Sequence, residues 1–194
     1  MVRVAPIVEG HGEREAVPIL IRRIAQCLGV VVEVLHPIRQ SKHRLLKAGE
    51  LEKAVELAAR NLEGSGGIFV IVDADEACPA ELGPQLRDRV RVVRPDLPSA
   101  LVLPKYEFEA WFLAAAASLR GTRGLDASVE PPPDVEAIQG AKEWLRDHQS
   151  DLPRYSAPVD QAALTAVMDL DEARACPSFD KCYREIAALL DALR

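Results

Sequence analysis

Acidic side chains recur at three places where an apolar, strand-like run gives way to a turn. Glu9 follows the β-branched segment Val2–Val8 and opens the turn Gly10-His11-Gly12. Asp73 and Asp75 follow the continuous apolar run 68–72, and Glu107 and Glu109 follow the short run 100–103. Ligands of open parallel α/β sheets bind beyond the carboxyl ends of the strands, so acids at these points are placed for chemistry. Asp73 and Asp75, two apart on an extended backbone, would project to one side and reach one cation. Mg²⁺ takes hard oxygens, a few of them carboxylates, and keeps water and substrate phosphate for the rest of its shell. No His/Cys constellation suggests zinc, which makes a hard cation the natural partner.

The elements that must position these acids follow from periodicity. After the glycine turn, Val17, Leu20, Ile21, Ile24 and Leu28 form one helical stripe. A strand is expected at 30–35, a helix at 50–62, a central strand at 68–72, a helix at 81–93 and a short strand at 100–103. Pro104-Lys105-Tyr106-Glu107 then leads into a helix ending at Leu119. Strands alternating with helices predict an α/β fold with a mostly parallel four-stranded sheet flanked by helices. Residues 121–133, with three consecutive prolines, read as a connector between a core at 1–120 and a helical C-terminal extension at 134–194 packed on it. Helices are expected there at 135–146 and 161–167, and in a last segment whose stripe runs from Phe179 to Leu193.

Composition narrows the classes. A chain of 194 residues with 48% hydrophobic and 28% charged residues is about one domain, able to bury its core without metal or disulfide staples. A net charge of -6 excludes a bulk-cationic packaging protein but not a local basic groove. Four cysteines without CxxC spacing suit a reducing cytoplasm, and Cys176 and Cys182 suit a core. The longest apolar run, 110–117, is too short to span a bilayer, so no membrane association is expected. Basic residues cluster at Arg39, Lys42, His43, Arg44 and Lys47, and Arg87, Arg91 and Arg94 share one helix face, so either group could hold a phosphate backbone.

The segment VEGHGE at 8–13 resembles the Glu-Gly-x-x-Glu motif of Toprim domains, and VDADE at 72–76 resembles their Asp-x-Asp motif. The chain is also similar to a family of bacterial Toprim-like proteins in the later segments EFEAWFLA from Glu107, AKEWL from Ala141, DQAALT from Asp160 and CPSFDKCYREI from Cys176. That resemblance implies a Toprim-like Rossmannoid fold and a metal-dependent nuclease acting on DNA or RNA. By similarity to the overcoming-lysogenisation-defect nucleases, it implies a centre of two Mg²⁺ or Mn²⁺ ions on Glu9, Glu13, Asp73, Asp75 and Glu109 or Glu107, with Lys142 beside them. It further implies a separately encoded ATPase as partner and a role in phage defence. The chain has no GxxxxGK[ST] loop of its own.

Other readings stay open at this point. A helix dipole favours acids in a first turn, which would account for Glu9, Glu13, Glu107 and Glu109 without chemistry, and Asp73 and Asp75 could cap a turn. The same acids could serve a non-catalytic module that binds nucleic acid or a partner. A phosphatase or phosphotransferase with Asp73 as nucleophile is a further alternative, although an Asp-x-Asp of that kind usually ends the first strand. Topoisomerase activity would need a tyrosine in a partner domain, and a primase would bring a zinc ribbon or polymerase-like domain.

Overall fold

The computed structural model describes residues 1–150 and 154–194. Its sheet is parallel throughout, with strands β2 (Val32–Val34), β1 (Val2–Val8), β4 (Gly67–Ile71) and β5 (Ser99–Val102) side by side in that order. The inner strands are β1 (Val2–Val8) and β4 (Gly67–Ile71), and every residue of β4 is buried, as an apolar run covered on both faces should be. β5 (Ser99–Val102) forms one edge. The other edge is split: β2 (Val32–Val34) pairs with the first half of β1, and β3 (Ile38–Arg39) pairs with Ile7 and Val8. Five strands therefore occupy four lanes where four strands are expected. Pro37, lacking an N–H to donate, lies in the gap between the two pieces.

Two helical layers cover the sheet. On one face lie α1 (Glu13–Cys27) and α9 (Pro177–Ala192), with Val17, Leu20, Ile24, Phe179, Ile186 and Leu190 in one core. On the other lie α3 (Glu50–Asn61) and α4 (Pro79–Val93), whose Leu51, Val55, Ala58, Leu86 and Val90 pack beneath Ile7, Val70 and Leu101. A short α2 (Lys42–Leu45) precedes α3 within the basic segment.

The remaining helices gather over the carboxyl end of the sheet and the first face. α5 (Ala110–Ala114) is buried along its whole length and ends earlier than the sequence suggests. The chain tightens into a 3-10 turn at Ala116–Leu119 after Ala115 leaves the helical region. The helix expected at 135–146 is likewise two pieces, a 3-10 turn at Val135–Ala137 and α6 (Ala141–Asp147). Gly140 separates them at φ 88, a left-handed conformation that glycine adopts without steric cost. α7 (Ala157–Val167) starts four residues before its expected beginning, because Pro158 is tolerated in a first turn and Asp160 accepts a 2.7 Å bond from the Ser156 N–H. α8 (Leu170–Ala173) then leads into α9.

Aromatic packing ties α5 to α9. Phe108 and Trp111 ring centroids lie 4.5 Å apart, Trp111 and Phe179 5.2 Å apart, and the Trp111 indole N–H donates to Ser178 Oγ at 3.0 Å. Such aromatic pairs contribute about 0.5–1.5 kcal/mol each beyond burial. Among the described residues, no helix is long and apolar enough to cross a membrane.

Candidate carboxylate site

The chain leaves β1 to form β2 on one side of it and later returns to form β4 on the other. In open α/β sheets, ligands bind where strand order reverses in this way, beyond the carboxyl ends of the two strands. Glu9 and Asp73 stand at those ends, and the Asp73 N–H donates to Glu9 Oε2 at 3.3 Å. The buried Glu13 turns back from the first turn of α1, its Oε2 accepting the backbone N–H groups of Glu9 (2.9 Å) and Gly10 (3.2 Å). Asp73 Oδ1 accepts the Phe108 N–H at 3.0 Å, which attaches the end of β4 to the segment after β5. Carboxylate-to-backbone bonds thus lock three strand ends together, so these acids do more than satisfy a helix dipole.

Glu109 is fully buried at the start of α5. Its Oε1 accepts the Tyr155 hydroxyl at 2.8 Å and the Gln161 amide at 3.2 Å. Its Oε2 lies 3.5 Å from the Lys142 ammonium and has no hydrogen bond from any described residue. Lys142 is bound more closely by Glu107, at 2.8 Å through Nζ and 3.3 Å through its own N–H. On the opposite flank Lys42 reaches Asp75 Oδ2 and the Ala74 carbonyl, each at 2.7 Å.

The structure thus brings Glu9, Glu13, Asp73 and Glu109 together, with Glu107 and Lys142 on one side and Asp75 and Lys42 on the other. Asp75 does not join Asp73 as the extended-strand spacing suggests. Its φ of 48° is left-handed, its N–H is donated to the Tyr106 carbonyl, and its exposed side chain is turned toward Lys42. Of the basic residues, Arg39 and Lys47 are exposed, and Arg44 is held by Glu50 at 2.8 Å. Arg87 and Arg91 are remote from the acids: they border a cavity with Pro98 and Ser99 at the amino end of β5.

Electrostatics sets these acids apart from surface carboxylates. Burial raises the Glu13 carboxyl to about 7, with Glu9 and Glu109 adding repulsion against the lowering effect of its backbone hydrogen bonds. Burial, then Glu13 and Glu109, hold Asp73 well above the usual carboxylate range. Glu9 is raised by burial and by Asp75, and Glu109 by burial, against Lys142 and Tyr155. Burial opposes the charge on Lys142, but Glu109 and Glu107 outweigh it and the ammonium is held more firmly than in water. Tyr155 is raised by burial and by Glu109, which keeps it a phenol able to donate.

These side chains offer oxygen donors of the type that a hard divalent cation takes. Glu13, Asp73 and Glu109 each commit one oxygen to an orienting bond and keep the other free of any described hydrogen bond, whereas Glu9 meets the backbone of both Asp73 and Lys42. Among the described residues no three such side chains converge as they stand, so ligation would require side-chain rotation.

Tyr155 and Gln161 are the residues that sequence reasoning missed. Gln161 lies in the segment DQAALT, which the family resemblance already singles out, whereas Tyr155 carries no such signal. The other resemblance segments also meet in space: EFEAW touches CPSF through Trp111 and Ser178, and AKEWL touches EFE through Lys142 and Glu107.

A family model described as "Domain of unknown function (DUF4276)" matches residues 8–187, and the chain belongs to that family. The match begins one residue before Glu9 and takes in every acid of the site as well as Lys142, Tyr155 and Gln161. No curated protein and no solved structure matches the chain.

Proposed function

We propose that the protein is a Toprim-like, divalent-metal-dependent phosphodiesterase that cleaves DNA or RNA. The observation that carries this reading is the joining of Glu9 and Asp73 at the strand ends where strand order reverses, with Glu13 and Glu109 buried behind them. Glu9, Asp73, Glu13 and Glu109 would hold Mg²⁺ or Mn²⁺, with Asp75 available after release from Lys42. When bound, one or two such ions would activate water and stabilise the leaving oxygen of a phosphodiester. The chain's own contributions are positional. Backbone N–H groups orient the carboxylates, Tyr155 and Gln161 fix Glu109, and Lys142 offers a cation toward an incoming phosphate. Lys42, Arg39 and Lys47, on the segment beside Asp75, are suited to the strand's backbone. A separately encoded ATPase acting with this site, and a role in phage defence, rest on the family resemblance.

A second reading, a non-catalytic binding module, is favoured by one observation: Lys142 already pairs with Glu107 and Glu109. The deciding experiment incubates the purified chain with Mg²⁺ or Mn²⁺ and labelled single-stranded DNA, duplex DNA and RNA, with and without a separately encoded ATPase. Cleavage abolished by Glu9→Ala and by Asp73→Ala is expected. Intact substrates in every combination, with binding that both variants retain, would leave the binding module as the reading.

A further inference from the structure

The arginines of α4 have no part in the carboxylate site, and their surroundings define a second one. Arg87, Arg91 and Arg94 recur on one face of the helix and at its end, bordering a cavity of about 570 Å³ between α4, α9 and the amino end of β5. That volume is within the usual range for small-molecule sites, about 300–1,000 Å³. The cavity is amphipathic, with Leu97, Pro98 and Leu189 beside three guanidiniums.

Carboxylates hold two of the three. Glu185 on α9 takes Arg87 at 2.7 Å, and Asp96 takes Arg94 at 2.6 Å, whereas Arg91 is exposed and makes no ion pair with a described residue. The negative end of the α4 dipole favours an arginine in the last turn, which explains the presence of Arg91 but not the convergence of three on one concavity. Three guanidiniums against two carboxylates leave the cavity cationic on a chain of net charge -6. Planar guanidiniums bind phosphate in a bidentate manner and stack on flat rings, and an apolar wall receives the rest of such a ligand.

We infer that this cavity is a binding site for a phosphorylated small molecule with a flat apolar portion, of which a nucleotide is the representative, and that it is separate from the carboxylate site. Arg91 would make the first phosphate contact, with Arg87 released from Glu185 to make a second.

The test uses the whole chain in a chelator-containing buffer, so that no metal-bound nucleotide can occupy the acids. AMP, ADP, GMP, GDP and inorganic phosphate are titrated by calorimetry, and each is also assayed for thermal stabilisation. Saturable binding of at least one nucleotide is expected. Because one hydrogen bond to a charged group is worth about 1.5–3 kcal/mol, Arg91→Ala should weaken it about tenfold or more. Arg87→Ala should weaken it comparably, and Asp73→Ala should not change it. Arg91 is exposed, so that variant is expected to fold, and its unliganded melting temperature verifies this. Failure of every nucleotide to bind at millimolar concentration would overturn the inference. So would binding indifferent to both arginines, or arginine-dependent binding of oligonucleotides alone, which would make the face a nucleic-acid surface. Absence of nucleotide binding, or binding indifferent to both arginines, does not bear on the proposed nuclease, whose acids lie at the other end of the sheet.

Discussion

Gly12 and Gln161 approach so closely that a Cβ on Gly12 would stand 2.2 Å from Gln161 Oε1 and 2.4 Å from the Ala157 carbonyl oxygen. Gly12 has an ordinary helical φ of -66, so glycine is needed here for space and not for conformation. The contact fixes α7 against the loop that bears Glu9, and α7 in turn presents Gln161 to Glu109.

Gly12→Ala should therefore be costly. A side chain could rotate away, but the Ala157 backbone oxygen cannot, so α7 would be displaced from α1. Overpacking of this kind costs about 3 kcal/mol. Denaturant unfolding of Gly12→Ala checks it, and a loss below about 0.5 kcal/mol would show that the helices part easily. Gly10→Ala, where the added atom would be 3.3 Å from Glu13 Oε1, should cost less.

The two lysines flanking the acids should differ in their effect on stability. Lys42 meets an exposed Asp75, so Lys42→Met should change stability by less than about 1 kcal/mol. Lys142 is the only cation within ion-pair distance of the fully buried Glu109 among the described residues. Its loss leaves an uncompensated charge, and Lys142→Met should cost about 3 kcal/mol near pH 8. Adding Glu109→Gln to Lys142→Met should recover most of that loss, and equal costs for the two single lysine variants would contradict the assignment.

Tyr155→Phe removes one of two donors to Glu109 Oε1 without changing shape. A hydrogen bond to a charged, buried acceptor is worth about 1.5–3 kcal/mol. Unfolding of this variant should show a loss in that range, and Phe at this position with full stability would mean that Gln161 alone satisfies the carboxylate.

Stability without metal should fall as pH rises from about 4.5 to about 7. Glu13 holds its proton in the folded chain up to about 7, whereas its ordinary value is 4.5. Across that window the unfolded chain binds fewer protons than the folded one, so stability is greatest at its acid end and is lost toward neutrality. Asp73 and Glu109, both raised, act in the same direction. Unfolding free energies at pH 5 and pH 7.5 in chelator should show the decline, and Glu13→Gln should flatten it. An unchanged slope in Glu13→Gln would remove Glu13 as its source.

The layers of this fold and the position of its acids at strand ends were legible in the sequence because both depend on local signals. Apolar periodicity marks β4 and α1 directly, and the glycine turn after Val8 marks where β1 stops. What sequence could not supply were facts created by tertiary contact. Asp75 leaves the extended conformation in an isolated bridge with Tyr106, a residue distant in sequence that also has positive φ. Lys142 was legible only through family resemblance, since a lysine on a short helix has no local mark of an ion pair with Glu107. Tyr155 and Gln161 were hidden for the same reason, their partner lying 46 and 52 residues back. The α4 arginines illustrate the converse: their helical spacing was legible, but the helix carries them away from the acids.

The separation between Glu109 and Gln161 also bears on the order of assembly. A chain made from its amino end can form β1, α1 and β4 early, and with them the Glu9–Asp73 bond. Glu109 receives its donors only after residue 161 has emerged, and α7 must then settle against Gly12. The carboxylate cluster therefore reaches its native arrangement late in synthesis, and a nascent chain carries the acids before it carries the site.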